Sequence, residues 1–141
     1  MVERAITGPV NSPGRGGVSQ ATQAAIEAET NEDTYAPPDL IQHSPGVAKV
    51  WAKFLPTGVI QADKGVDTVT DLAVGRWRVN FTTAFSSTHY AVIPQTSKED
   101  LQLRLGHIEA ILTTSTTIRC MDASVILVDP NNIYLAAFGD Q

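Results

Sequence analysis

Between Arg76 and Phe81 the chain alternates strictly, with Trp77, Val79 and Phe81 apolar and Arg76, Arg78 and Asn80 polar. Successive side chains of a strand point to opposite sides, so this pattern predicts a strand with one buried face. Residues 66–72 read as a second strand, and the short link through Ala73, Val74 and Gly75 predicts that the two pair as an antiparallel hairpin. Further strands are predicted over 47–54, 89–94, 101–105, 109–114, 116–121 and 133–138. In the third of these runs Leu101, Leu103 and Leu105 alternate with Gln102 and Arg104. Residues 125–128 form one more candidate, before the turn-forming Pro130, Asn131 and Asn132. Short runs rich in Val, Ile, Thr and aromatics, divided by turn residues every 8 to 12 positions or so, predict a mainly β domain built as an antiparallel β-sandwich or barrel. No repeat with a period of about 20 to 50 residues supports a solenoid or propeller.

Upstream of Val47 the pattern differs. Gly8, Pro9, Pro13, Gly14, Gly16 and Gly17 exclude a long helix or central strand from residues 1–17, which are expected to form an extended arm. The alanine-rich run over 18–28 predicts a short helix capped by Ser19, with Val18, Thr22, Ala25 and Ile26 as its apolar stripe. About ten residues is marginal for a helix alone in water, so it needs a partner surface. Pro37 and Pro38 hold the following chain extended, and a second helical turn is expected over 39–42 before His43, Ser44, Pro45 and Gly46 break it. The chain therefore divides into an arm (1–17), a short helical linker segment (18–46) and a β domain (47–141).

Charge follows the same division. Of the net charge of −5, residues 1–46 hold −4, because Arg4 and Arg15 face Glu3, Glu27, Glu29, Glu32, Asp33 and Asp39. The β domain is left near neutrality and offers no basic stripe for a phosphate backbone, which argues against nucleic acid as a partner. No apolar run reaches the roughly 18 to 20 residues of a membrane span, and the first residues lack the apolar core of a signal peptide; a soluble product without membrane insertion is expected. Cys120 is the sole cysteine, so an intrachain disulfide is excluded, and a small buried hydrophobe is the reading for it.

A search for catalytic chemistry finds no constellation. His43, His89 and His107 lie far apart with no metal-binding spacing, although a three-fold axis could bring one histidine from each of three chains together. Asp63, Asp67 and Asp71 are spaced by four; on a strand that places neighbours about 13 Å apart, beyond the roughly 5 to 9.5 Å of a glycosidase carboxylate pair. Gly14-Arg15-Gly16-Gly17 lacks the lysine and hydroxyl residue of a phosphate loop. Trp51, Trp77 and Tyr90 are the aromatics suited to stacking on sugars; Trp77 falls on the apolar face of its strand, whereas Trp51 fits either the interior or a subunit contact. No catalytic, cofactor or metal residue is assigned, no ligand-binding residue is identified, and the chain reads as a non-enzyme that needs no cofactor.

The run from Ala21 to Thr30, Ala-Thr-Gln-Ala-Ala-Ile-Glu-Ala-Glu-Thr, and the later Tyr35-Ala36-Pro37-Pro38 resemble the phrase "ATQAEVEAGT…YVTP" recurrent in the tail fibres of tailed bacteriophages. Glu29 stands where that family usually has glycine, and Ala36-Pro37-Pro38 where it often has Val-Thr-Pro. The resemblance continues at 46–54 (family "AKAWVNF"), at 75–85 (family "GDYTVNFTTAF"), at Tyr90-Ala91-Val92 (family "YAV") and in the closing Ala136 to Gln141, in the same order over 21–141. It implies a homotrimeric structural protein of the virion, made in the host cytoplasm. The arm would attach it to other virion proteins and the C-terminal β domain would meet a host surface glycan or protein. With 141 residues there is no room for a long shaft, so a short tail fibre, spike or adaptor is expected. A head, neck or collar decoration without receptor binding and a polysaccharide depolymerase are the alternatives.

Overall fold

The computed structural model describes residues 18–29, 34–38, 40–44, 46–97 and 103–141. The arm expected over 1–17 lies outside the described residues, as do Leu101 and Gln102. The protein is mainly β. In chain order it has β1 (Ser19–Gln20), α1 (Gln23–Glu27), β2 (Thr34–Tyr35), a 3-10 turn (Ile41–His43), β3 (Val50–Phe54), β4 (Ile60–Lys64), β5 (Val66–Ala73), β6 (Arg76–Phe81), β7 (Ala91–Ser97), β8 (Arg104–Leu112), β9 (Ser115–Asp122) and β10 (Asn132–Phe138).

Two four-stranded sheets carry the fold, in the orders β4-β3-β10-β7 and β5-β6-β9-β8. Every pairing within them is antiparallel. Their apolar faces meet in one core: Val50, Ala52, Phe54, Val92, Ile133, Leu135 and Ala137 from the first sheet join Val66, Trp77, Val79, Phe81, Ile118 and Cys120 from the second. Alternation in β6 supplies this face as expected, and Trp77 is fully buried, edge-on to Phe54 at 6.3 Å. Its indole N–H donates to the carbonyl of Pro56 at 2.6 Å, which satisfies the one polar atom that burial would otherwise leave unpaired. Cys120 is buried as expected.

At one end of the core Phe81, Phe85 and Tyr90 pack together, with the Phe85 and Tyr90 rings stacked at 4.0 Å. The Tyr90 hydroxyl donates to the backbone carbonyls of Leu112 (2.9 Å) and Ser115 (3.2 Å). Burial pushes this hydroxyl up to about 12 from its ordinary 10.0. Along one seam the sheets approach at Pro94 and Gly106: a Cβ on Gly106 would stand 3.1 Å from the Pro94 carbonyl oxygen. Proline suits that outer strand because it has no N–H to leave unpaired, and glycine permits the close approach.

Several expectations are corrected. The N-terminal helix is shorter than 18–28: Ser19 and Gln20 pair with Thr34 and Tyr35 as parallel strands, and the cap is Thr22, whose hydroxyl accepts from the Ala25 amide at 3.2 Å. Its expected stripe is only partly covered, since Ala25 and Ile26 are half-buried while Val18 and Thr22 are exposed. The second helical turn is the 3-10 turn at Ile41–His43. The two strands expected over 101–105 and 109–114 are one, β8, which runs through Gly106 and absorbs a bulge between Ile108 and Ala110. Residues 125–128 form no strand: the Asp122 carboxylate accepts the amides of Ser124 and Ile126 that a ladder would use, leaving only an isolated bridge from Met121 to Leu127. β4 was not expected, because in its Ile-Gln-Ala-Asp-Lys only Ile60 is β-branched and none is aromatic.

Candidate functional site

Antiparallel register decides what each end of the β domain carries. At one end lie Lys49, the 82–90 loop and the C-terminal residues, tied by Lys49 N–H to Ala137 (3.0 Å), Ser86 N–H to Asp140 (2.9 Å) and Gln141 Nε2 to Thr83 (3.0 Å). The 3-10 turn Ile41–His43 adjoins this end, where the Lys49 ammonium donates to the Gln42 carbonyl. At the opposite end lie the β3–β4 loop, the Val74-Gly75 turn and the loop after β9. The Gly75 amide donates to Asp129 Oδ1 at 2.6 Å, and Asn131 N–H to Ser97 at 2.9 Å. Gly75 has φ +67, and a Cβ there would stand 2.8 Å from the Cys120 carbonyl oxygen, so glycine is required. Val59, Val74, Val125 and Ile126 stand exposed at these tips. Val125 is held at φ 63, a strained conformation for a β-branched residue, by the turn that Asp122 organises.

A different surface has the shape of a binding site. On β3, inward Val50, Ala52 and Phe54 leave Trp51 and Lys53 on the outer face, which resolves the orientation of Trp51. Cross-strand pairing sets Lys64, Trp51, Ala136 and Ile93 in one row, and Ala62, Lys53, Tyr134 and Gln95 in the next. Because small Ala136 lies between large Trp51 and Ile93, the rows enclose a trough of about 430 Å³ whose floor is Ala136 and whose walls are Trp51, Ile93 and Tyr134. Trp51 is 41% exposed, Ile93 59% and Tyr134 36%. Lys53 Nζ stands 5.9 Å from the centroid of the Tyr134 ring, within cation–π range.

A smaller hollow of about 200 Å³ adjoins this face at Lys64, lined by Gln42, His43, Lys49, Lys64, Thr83 and Gln141. The part-buried Lys49 ammonium donates to the Gln42 carbonyl. Desolvation lowers its affinity for a proton, with Asp140 opposing the effect and Lys64 adding to it. His43 stands 3.8 Å from Glu27.

The residues weighed for chemistry from sequence are not brought together. His43 lies in the 3-10 turn, His89 in the 82–90 loop and His107 on β8, and no metal-binding group of three ligands exists among the described residues. Asp63 is on β4, whereas Asp67 and Asp71 are on β5, all exposed. Trp77 and Tyr90 are core residues and present no stacking face. Lys53, Lys64, Ile93 and Tyr134 drew no notice in the sequence; only the alternation of Tyr134 with Ile133 and Leu135 hinted at an outward ring. Comparison with models of protein families, with curated proteins and with solved structures gives no match to this chain.

Proposed function

We propose that the protein is a non-catalytic structural component of a tailed-phage virion, a short tail fibre or spike that mediates adsorption to the bacterial surface. The observation that carries this reading is the polarity of the β domain: the segment leading from the arm joins one end, and the exposed loop tips Val59, Val74, Val125 and Ile126 stand at the other. Such an arrangement suits a domain held from below that presents a rigid tip. The resemblance of 21–141 to tail fibres agrees with it. In this reading the two sheets form a β-sandwich, and three copies associate through residues 18–46, where Val18, Tyr35 and Ile41 are exposed and no residue of α1 is fully buried. The arm at 1–17 docks to other virion proteins.

Immunolabelling of virions in the electron microscope tests the assignment: label at the tail tip supports it, and label on head or collar replaces it with a decoration role. Sustained release of reducing ends from capsule or lipopolysaccharide would make the protein a depolymerase instead. Light scattering checks the trimer, which a stable monomer of about 15 kDa at micromolar concentration would exclude. Deleting 1–17 is expected to leave melting and trimer unchanged while abolishing incorporation into particles that lack the protein.

A further inference from the structure

We infer that the trough on the outer face of β4-β3-β10-β7 binds an anionic saccharide, with a sugar ring on Trp51 and its acidic group held by Lys64 at the head of the adjoining hollow. This inference rests on the adsorption reading above and names the class of receptor.

Charge on this face argues for an anion. The protein carries −5, yet Lys53 and Lys64 lie in the two outer rows, and no acidic residue does; the other positions are Trp51, Ala136, Ile93, Ala62, Tyr134 and Gln95. Asp63 is paired with inward Ala52 and belongs to the opposite parity. Lys49 adds a third ammonium in the hollow. It has no carboxylate within 4.0 Å among the described residues, where the salt bridges are His43–Glu27 and Arg76–Glu109. Asp140 is the acid felt there, with a smaller influence from Glu27. An ammonium with one carbonyl partner among the described residues retains unused donor capacity, which a bound oxyanion would use.

Shape argues for a sugar. Trp51 and Lys64 are directly paired across β3 and β4, so their Cβ atoms are neighbours at roughly 5 Å, and a group stacked on the indole lies within reach of the ammonium. A pyranose ring has an apolar C–H face and a polar rim; the exposed indole and Ile93 suit the first, and Gln95, Thr83 and Gln141 the second. At about 430 Å³ the trough has the size of a small-ligand site. The acidic group can be a uronate carboxylate or a sugar phosphate, which share this chemistry.

The test uses the full chain with galacturonate tetramer, the same tetramer methyl-esterified, and mannose 6-phosphate. Trp51 is the exposed tryptophan and Trp77 the buried one, so quenching of fluorescence reports on Trp51, with calorimetry as a second readout. Saturable binding of the acidic tetramer or of the sugar phosphate is expected, and which of the two binds identifies the source of the anion. The ester is expected to bind about tenfold more weakly, Lys64→Gln to weaken binding several-fold, and Trp51→Ala to abolish it with melting unchanged. Equal binding of ester and acid, no binding of any probe, or a change in oligomeric mass on Trp51→Ala overturns the inference, the last by making the face a subunit contact. Adhesion to cells of the infected strain separates the two readings. Undiminished adhesion of Trp51→Ala retains adsorption and rejects this site, whereas label on the virion head rejects adsorption whatever the sugars do.

Discussion

The outer faces of the two sheets are built alike in backbone and differently in side chains. On β5-β6-β9-β8 some outward residues pair with one another: Asn80 donates to Thr68 at 2.9 Å, and Arg76 holds Glu109 through two hydrogen bonds of 2.5 and 2.9 Å, while Arg78 makes no ion pair and Arg119 Nε has no hydrogen-bond partner among the described residues. The hydrogen bond from Arg76 draws the Glu109 carboxyl below its ordinary value, and the same bond raises the guanidinium. On β4-β3-β10-β7 the outward residues are an indole, an isoleucine and a phenol with lysines beside them, and the lysines have no carboxylate among the rows. The difference lies in the apolar area: a face that sets exposed aromatic and aliphatic side chains around a hollow beside cations has free energy left to gain on binding.

The two tryptophans sharpen this contrast most. Trp77→Ala is expected to destabilise by about 3 to 5 kcal/mol in a urea melt, since a core cavity replaces the indole. Trp51→Ala on the outer face should change stability by no more than about 0.5 kcal/mol. Equal effects would mean that Trp51 is covered and that the faces do not differ as described.

Next in size, Tyr90→Phe removes a donor from two backbone carbonyls and should cost about 1 to 3 kcal/mol at neutral pH. Because the folded hydroxyl titrates near 12 and the unfolded one near 10.0, its contribution is complete below pH 10 and is lost as pH rises through 12. Wild type should therefore lose stability over that window, and the variant should lose less. Parallel alkaline melting curves for the two proteins would contradict the burial of this group.

The smallest effect is expected at the exposed pair. Glu109 has a lowered folded value, so its contribution is present above the ordinary carboxylate value of 4.5 and fades as pH falls through the folded one. Glu109→Gln should shift melting less than either change above, and the shift should shrink in high salt. A large, salt-insensitive shift would mean that this face depends on the pair for more than surface complementarity.

Alternation alone was enough to place β6 at Arg76–Phe81 and to send Trp77 inward, because a period of two leaves a strand with one buried face a single choice. The mainly β character was legible through apolar patterning local to each element, and the burial of Cys120 from the hydrophobic character of a lone thiol. β4 and the unbroken β8 were not, since an exposed outer strand needs no apolar pattern and a bulge disguises register. The candidate site lay further out of reach. Ala52 and Lys53 leave the parity of β3 ambiguous, and Trp51 turns outward only because Val50 and Phe54 are claimed by the core. What gathers Trp51, Lys64, Ile93 and Tyr134 is the order β4-β3-β10-β7, which joins residues up to 83 positions apart through antiparallel registers. Local pattern determines which way a side chain faces, but neighbours across a sheet are chosen by strand pairing, a non-local choice that the packing of the whole core makes.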